Sequence, residues 1–385
     1  MNIEISKFIY KREKCPLCSS RNLSEAIPPH KNLSFPVLPV CVETPKEEDS
    51  FAPFNIGICN DCGLILLKEV VNPEILYKIF HSDGIGQVWE EHYSKFSQLI
   101  KKHCPEGKII EIGAGQGKLI TKLISFYPSS IEVMDPLYAG PVENVRVYRE
   151  LLNEDSVKKF SEEFDALVSS HTLEHFLEFK DYFENAWKVL KKGGLLFTSV
   201  PNQELGFLRG YGNQLNYEHP SVCLNAHWFY LHYKYGFIIR EVSFFQDHSV
   251  QIVAEKVETP LKYEVDVKEL SRKILDSYWN NIKERMEKIK KFAIKDKENW
   301  IFGASNFSQP LFVYGLEENY FKGVLDNSSL KHNKRLYGTS LICRKPEEVI
   351  QANPNIRIFL NVAHYNKEVF DQLKKINNNV ECIFL

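Results

Sequence analysis

Between residues 108 and 256 two apolar patterns alternate. Short greasy runs, "KIIEIG", "SIEVMD", "FDALVSS" and "LLFTSVP", are separated by stretches whose apolar residues recur every three or four positions, "KLITKLISFY", "NEDSVKKFSEE" and "DYFENAWKVLKKGG". The first kind predicts buried strands and the second amphipathic helices. Strands alternating with helices predict parallel β-α-β units in a doubly wound sheet. A short strand is predicted near "NVRVYR", and Gly193 and Gly194 read as the C-terminal stop of a helix. After the interruption "GFLRGYGNQLNYEHPSVCLNAHWFYLHYKYG" come "FIIREVSFF" and "SVQIVAEK", joined by a turn at Gln246-Asp247-His248, which predicts an antiparallel final pair.

The flanks read differently. Upstream, "QVWEEHYSKFSQLIKKHC" has helical spacing, and a short helix is predicted to start after Pro73. The first 70 residues otherwise carry loops, short strands and prolines. Downstream, "DVKELSRKILDSYWNNIKERMEKIKKFAIKDK" predicts a charged helical connector, and "NWIFGASNFSQPLFVYGL" restarts a strand-glycine-helix unit. The fold class expected is α/β: a central doubly wound, Rossmann-like sheet with a small N-terminal subdomain, whose chemistry the cysteines below define, and a smaller C-terminal α/β domain. The divisions are 1–75, 76–258, 259–297 for the connector and 298–385.

Composition alters this picture little. Of 385 residues, 44% are apolar and 25% charged, an ordinary globular balance. Lys plus Arg total 48 against 50 Asp plus Glu, a net charge of −2. That provides no general field for nucleic acid or anionic lipid. No apolar run approaches the roughly 18–20 residues of a bilayer span, and the opening residues lack a signal-peptide core. A cytoplasmic chain without nucleic-acid or membrane partners, monomeric or homodimeric, is expected.

The nine cysteines do change the picture. Cys15-Pro-Leu-Cys18 and Cys59-Asn-Asp-Cys62 are two C-x-x-C turns, separated by positions 19 to 58, 40 residues. Each turn aims two thiolates at one centre, and two turns complete a closed tetrahedral site for structural Zn²⁺. The alternative is free core thiols or a redox pair, although neither pair opens a helix of a β-α-β unit. Cys41 is expected to stay unliganded.

"EIGAGQG" follows a predicted strand and precedes a predicted helix. Glu111, Gly113, Ala114, Gly115, Gln116 and Gly117 are therefore candidate cofactor-binding residues, since small residues let a ligand press on the backbone at a helix N-terminus. Asp135, followed by Pro136, ends the second strand, where a carboxylate can accept both ribose hydroxyls. A dinucleotide site would carry its third glycine one residue later. "HTLEH" contains H-x-x-E-H, a zinc-peptidase string when it lies on a helix, but here it falls at a strand end. His171 is a candidate cofactor-pocket wall.

"EIGAGQG", "EVMDP", "FDALVSSHTLEHF" and "WKVLKKGGLLFTSVPN" together resemble the class I S-adenosylmethionine-dependent methyltransferases over about residues 108–256. With "CPLCSS" and "CNDCGLILLKEVVNPEILY" ahead and "GVLDNSSLKHNKRLYGTSLICRKPEEV" behind, the whole chain is similar to the zinc-containing sugar C-methyltransferases. The resemblance implies S-adenosylmethionine as cofactor and a nucleotide-linked keto-sugar as acceptor. It implies His219 of "NYEHP" as general base, Glu218 as its orienting partner, and His175 and Tyr217 as further catalytic groups. Such chemistry needs a base with a pKa near the working pH and a donor for the developing oxyanion. Two hydroxyls of the family pattern are absent, for Asn216 and Phe80 stand where it has Tyr. Other acceptors therefore stay open, including O-methylation of a sugar, small hydroxyl or acid. So does a non-catalytic zinc or sugar-nucleotide-binding protein, or a nucleic-acid methyltransferase, which the charge balance disfavours. "GASNFSQ" is a weak candidate phosphate cradle.

Overall fold

The computed structural model describes residues 5–26, 33–73, 76, 84, 86–142, 145–294 and 296–385. Phe80 and most of the short helix expected after Pro73 lie outside them. Seven strands form the central sheet: β1 (Ile109–Ile112), β2 (Ile131–Met134), β3 (Arg146–Tyr148), β4 (Phe164–Ser170), β5 (Leu190–Pro201), β6 (Phe237–Phe245) and β7 (Ser249–Lys256). Their order is 3-2-1-4-5-7-6, with only β7 antiparallel to its neighbours. The strand order reverses between the parallel neighbours β1 and β4, which opens a crevice at their C-terminal ends.

Helices cover the sheet as the periodicity requires: α1 (Gln87–His103), α2 (Lys118–Leu123), α3 (Glu154–Phe160) and α4 (Lys180–Val189). Asn153 caps α3, accepting from Asp155 and Ser156 N–H at 2.9 and 3.0 Å while Ser156 Oγ accepts from Asn153 N–H at 2.8 Å. The glycine pair at 193–194 corrects the sequence reading. The helix stops at Val189, and the glycines sit inside β5, where the register slips between Phe164 and Ala166 of β4. Gly193, at φ 71°, takes the left-handed turn of this irregularity.

After β5 come α5 (Gln203–Leu208), α6 (Asn225–Lys234) and, past β7, the connector α7 (Lys268–Phe292). A second, wholly parallel sheet follows: β8 (Glu298–Phe302), β9 (Gly323–Leu325), β10 (Cys343–Arg344), β11 (Ile356–Leu360) and β12 (Glu381–Phe384), in the order 10-9-8-11-12. Among the described residues no helix is long and apolar enough to cross a membrane.

The parts are woven together. Ser221–Val222, from the insertion after β5, adds a strand to the head sheet at Ile65–Leu67. Cys41–Val42 of the head pairs with Arg335–Leu336 of the tail. One apolar cluster unites Phe35 and Ile56 of the head, Phe207, Tyr278 and Trp279 on α5 and α7, and Ile301 and Leu336 of the tail. A buried ion pair, Arg335 to Asp49 at 2.6 Å, locks the same seam.

Candidate active site

The glycine loop adopts a backbone that side chains resist. Gly113, Gly115 and Gly117 have φ of 72°, 52° and 67°, the left-handed region that glycine enters without steric cost. A Cβ on Gly113 would lie 2.5 Å from Thr172 Cγ2, and one on Gly117 2.9 Å from the Tyr138 hydroxyl. Asp135 fixes the loop: its Oδ2 accepts from Gly115 N–H at 2.7 Å and its Oδ1 from Leu137 N–H at 2.6 Å. Each carboxylate oxygen has a further lone pair for a ligand hydroxyl. Glu111 is buried in β1, and its charge, after burial itself, raises the pKa of Tyr138. Ala114 lines the buried side of the loop, while Gln116 and Pro136 are exposed at its rim. These residues fit a nucleoside-bearing ligand: close backbone, free helix N-terminus and carboxylate meet at the end of β1 and β2.

Next along the crevice lies a line of imidazoles around one buried carboxylate. His171 follows β4, and Leu173–His175 make one tight 3₁₀ turn. That turn puts Glu174 Oε1 3.4 Å from His171 Nδ1 and 4.0 Å from His175 Nε2. The His175 and His219 rings lie 4.7 Å apart, nearly edge to face. Glu174, His175 and His219 can share one ligand atom's neighbourhood, as can His92, His171 and His248. His171 therefore faces the histidine cluster, its Nε2 2.8 Å from Ser249 Oγ, rather than serving only as a wall of the cofactor pocket.

The His219 loop is built by Asn216. Its Oδ1 accepts from Glu218 and His219 N–H at 2.8 and 3.0 Å, an Asx turn that fixes where both side chains leave the backbone. His219 Nδ1 donates to the Asn213 carbonyl at 3.0 Å. A carbonyl only accepts, so Nδ1 carries the proton and Nε2 the lone pair. The Asn213 carbonyl thus does the orienting expected of Glu218. Burial lowers the His219 pKa, with the Glu174 charge opposing, and pushes the Glu218 carboxyl up to about 7.

Tyr217 also departs from expectation. Its hydroxyl donates to the Ala52 carbonyl at 2.6 Å, and its ring packs on Phe35 and Phe54. It ties the loop to the head domain. Arg12, unremarked in the sequence, is a second tie. Its buried guanidinium donates to the carbonyls of Pro220 and Leu177 and to Ser221 Oγ, each at 3.0 Å, and so clamps the segments bearing His219 and His175. His92, His248, Trp89 and Arg12 carried no short-range motif that would have marked them, and Glu174 was visible only as the acidic residue of "HTLEH".

In the head, Cys15 and Cys62 Sγ are 3.6 Å apart, as are Cys18 and Cys59. Thiolates around tetrahedral zinc, with bonds of about 2.3 Å, stand roughly 3.8 Å apart, so the four residues fit the ion. Both turns close alike, with Ser19 (φ 65°) and Gly63 (φ 84°) left-handed just after the second cysteine. Hydrogen bonds from its neighbours, Cys15 first, pull the Cys59 thiol pKa down. His227 of α6, with its Nε2 3.0 Å from the Cys62 carbonyl, braces the turn from the central domain. A cleft of about 460 Å³ lies at the head–tail seam, lined by Pro36, Lys46, Phe51, Gln309 and Tyr337 among others; none of the site residues above borders it.

"GASNFSQ" is tightly packed at its glycine. α8 (Gln309–Val313) is a single short turn, and a Cβ on Gly303 would lie 2.8 Å from the Asn361 carbonyl oxygen. Its glycine serves close backbone packing instead.

Residues 87–256 match the family model described as a methyltransferase domain. Sheet order, glycine loop and this match agree that the central part is a class I S-adenosylmethionine-dependent methyltransferase domain. The chain is 30% identical over 116 residues to the human mitochondrial ubiquinone biosynthesis O-methyltransferase, covering 27% of this chain and 31% of that protein. It thus spans about a third of the length of the curated relatives it matches. Among solved structures, it is similar to an S-adenosylmethionine-dependent methyltransferase from Listeria monocytogenes (16% identity, TM-score 0.34, 42% of this chain and 98% of that one). It is also similar to the PH0226 protein of Pyrococcus horikoshii (16% identity, TM-score 0.38, 47% and 98%).

Proposed function

We propose that the chain transfers a methyl group from S-adenosylmethionine to a small-molecule acceptor, a nucleotide-linked sugar, at a carbon next to a keto group, with His219 as the base. The observation that carries this reading is the His175–His219 pair, with its rings 4.7 Å apart and the His219 Nδ1 proton held by Asn213. The cofactor, held by the 113–117 loop and Asp135, supplies an electrophilic methyl on a sulfonium sulfur. His219 Nε2 then takes the proton that the acceptor loses. Burial keeps the imidazole neutral beforehand, with its Nε2 lone pair available, and the Glu174 charge steadies the imidazolium afterwards. In this reading His175 donates to the developing oxyanion. Cys15, Cys18, Cys59 and Cys62 hold a structural zinc ion. The sugar acceptor and carbon-centred transfer rest on the whole-chain resemblance. O-methylation of a small hydroxyl is the second reading, favoured by the match to the ubiquinone O-methyltransferases.

The test is calorimetric binding of S-adenosylhomocysteine, then a screen of nucleotide-sugars, then turnover with the carbon-bound hydrogens of the acceptor replaced by deuterium. C-methylation releases one deuteron per turnover. Retention of every deuteron would establish transfer to oxygen, and no response to any nucleotide-sugar would reject the acceptor class. His219→Asn should lower turnover on the order of a hundredfold or more with cofactor affinity unchanged; normal turnover removes His219 from the mechanism.

A further inference from the structure

Beside the proposed base pair lies a group of side chains for which that reaction has no role. His92 comes from α1, His171 from the end of β4 and His248 from the β6–β7 turn. Their ring centroids form a near-equilateral triangle: 5.1 Å from His92 to His171, 5.0 Å from His171 to His248 and 5.3 Å from His92 to His248. One ring nitrogen from each lies within 4.8 Å of the others. Trp89 packs edgewise on His171 at 4.6 Å and on His248 at 4.5 Å, closing one side, and His364 of the tail stands 4.9 Å from His248.

Three imidazoles are an expensive way to fill an interior. Each buried ring nitrogen needs a hydrogen-bond partner or costs stability. Ser199 Oγ serves His92 Nε2 at 2.9 Å, and Ser249 Oγ serves both His171 and His248. His92 Nδ1, in a residue of zero exposure, finds no partner among the described residues. The backbone is strained at the same place: His171 has φ 51° and Gln246, two residues before His248, φ 50°. Left-handed non-glycine residues persist where the surroundings over-determine them, and they gather at functional sites.

We propose that His92, His171 and His248 form a second metal-binding site, for a borderline divalent cation such as Zn²⁺, separate from the four cysteines. Neutral imidazoles are the ligand type such ions prefer. Nitrogens bound at about 2.0–2.1 Å to a tetrahedral ion stand roughly 3.4 Å apart, so small ring rotations close the triangle. The outer groups suit the purpose: Glu174 beside His171 Nδ1 and Ser199 beside His92 Nε2 orient the rings, and the carboxylate offsets the ion's charge. Three protein ligands leave a fourth position open, as in catalytic rather than structural zinc sites. This inference goes beyond the proposed methyl transfer and does not depend on its acceptor.

The test uses the full chain, freed of metal by a chelator and titrated with Co²⁺. Two equivalents are expected: one with thiolate-to-metal charge-transfer bands, lost in Cys18→Ser, and one without them, lost in His248→Ala and in His92→Ala. Nitrogen-15 shifts of the imidazoles of the unmodified protein on adding Zn²⁺ report the same contact with no substitution, should a variant not fold. A single equivalent confined to the thiolates overturns the site. So does a second equivalent that survives both histidine substitutions, or the absence of any imidazole shift.

Discussion

The two parallel sheets make a natural pair. β1 to β5 of the centre and β8 to β12 of the tail run in the same order, each with a glycine after its first strand and an aspartate after its second. In both, that aspartate accepts a loop N–H: Asp135 from Gly115 at 2.7 Å, Asp326 from Ala304 at 3.1 Å. Beyond this they diverge. The central loop carries three left-handed glycines and the tail loop one. The mouth of the tail is packed with Asn361 and Val362, and Asp326 is paired with Lys331 at 2.8 Å. Topology makes a crevice in either sheet. A site follows only where the loop stays small and the carboxylate retains lone pairs for a ligand.

The largest effect expected from this contrast is on cofactor binding. Asp135→Ala should weaken S-adenosylhomocysteine by about 1.5–3 kcal/mol, the worth of hydrogen bonds to a charged group, while Asp326→Ala leaves that affinity unchanged and lowers the melting temperature. Calorimetry and thermal unfolding of both variants decide the matter; equal losses of affinity would erase the difference between the sheets. Gly113→Ala comes next. A left-handed alanine costs about 1–2 kcal/mol, and its methyl would press on Thr172, so affinity should fall severalfold. Gly303→Ala, facing Asn361, should reduce stability alone.

The smallest effect is in titration. In the tail, Arg357 first of all pulls Glu381 below the usual carboxylate range, whereas in the centre burial raises Glu218 to about 7. A raised carboxyl contributes stability below its unfolded pKa and loses it as pH climbs through the folded value. Glu218→Gln should therefore raise the melting temperature at pH 8, by roughly 1–3 kcal/mol of stability, and change little at pH 5. Melting curves at the two pH values test this, and an equal shift at both would show that Glu218 is not held protonated.

Much of the centre was legible because its signals are local. Strand and helix periods, the glycines after β1 and the aspartate after β2 each lie within a few neighbours. The two C-x-x-C turns likewise brought four thiols within reach of one another. The contacts of Tyr217 and Glu218 were not legible because a side chain's partner is settled by what packs against it. Ala52, which receives the Tyr217 hydroxyl, is 165 positions away. The glycines at 193–194 were misread because a helix stop and a strand irregularity use the same left-handed residue.

The sequence by itself determined the order of elements, the glycine loop and the cysteine turns, since backbone preference and short spacing are properties of adjacent residues. Only the tertiary structure decided which histidines meet. His92, His171 and His248 converge from a helix, a strand end and a hairpin, and His175 and His219 are joined through a loop clamped by Arg12 of the head. That convergence is fixed by sheet order and by the core shared between head, centre and tail, and these depend on contacts between distant residues that no local pattern encodes.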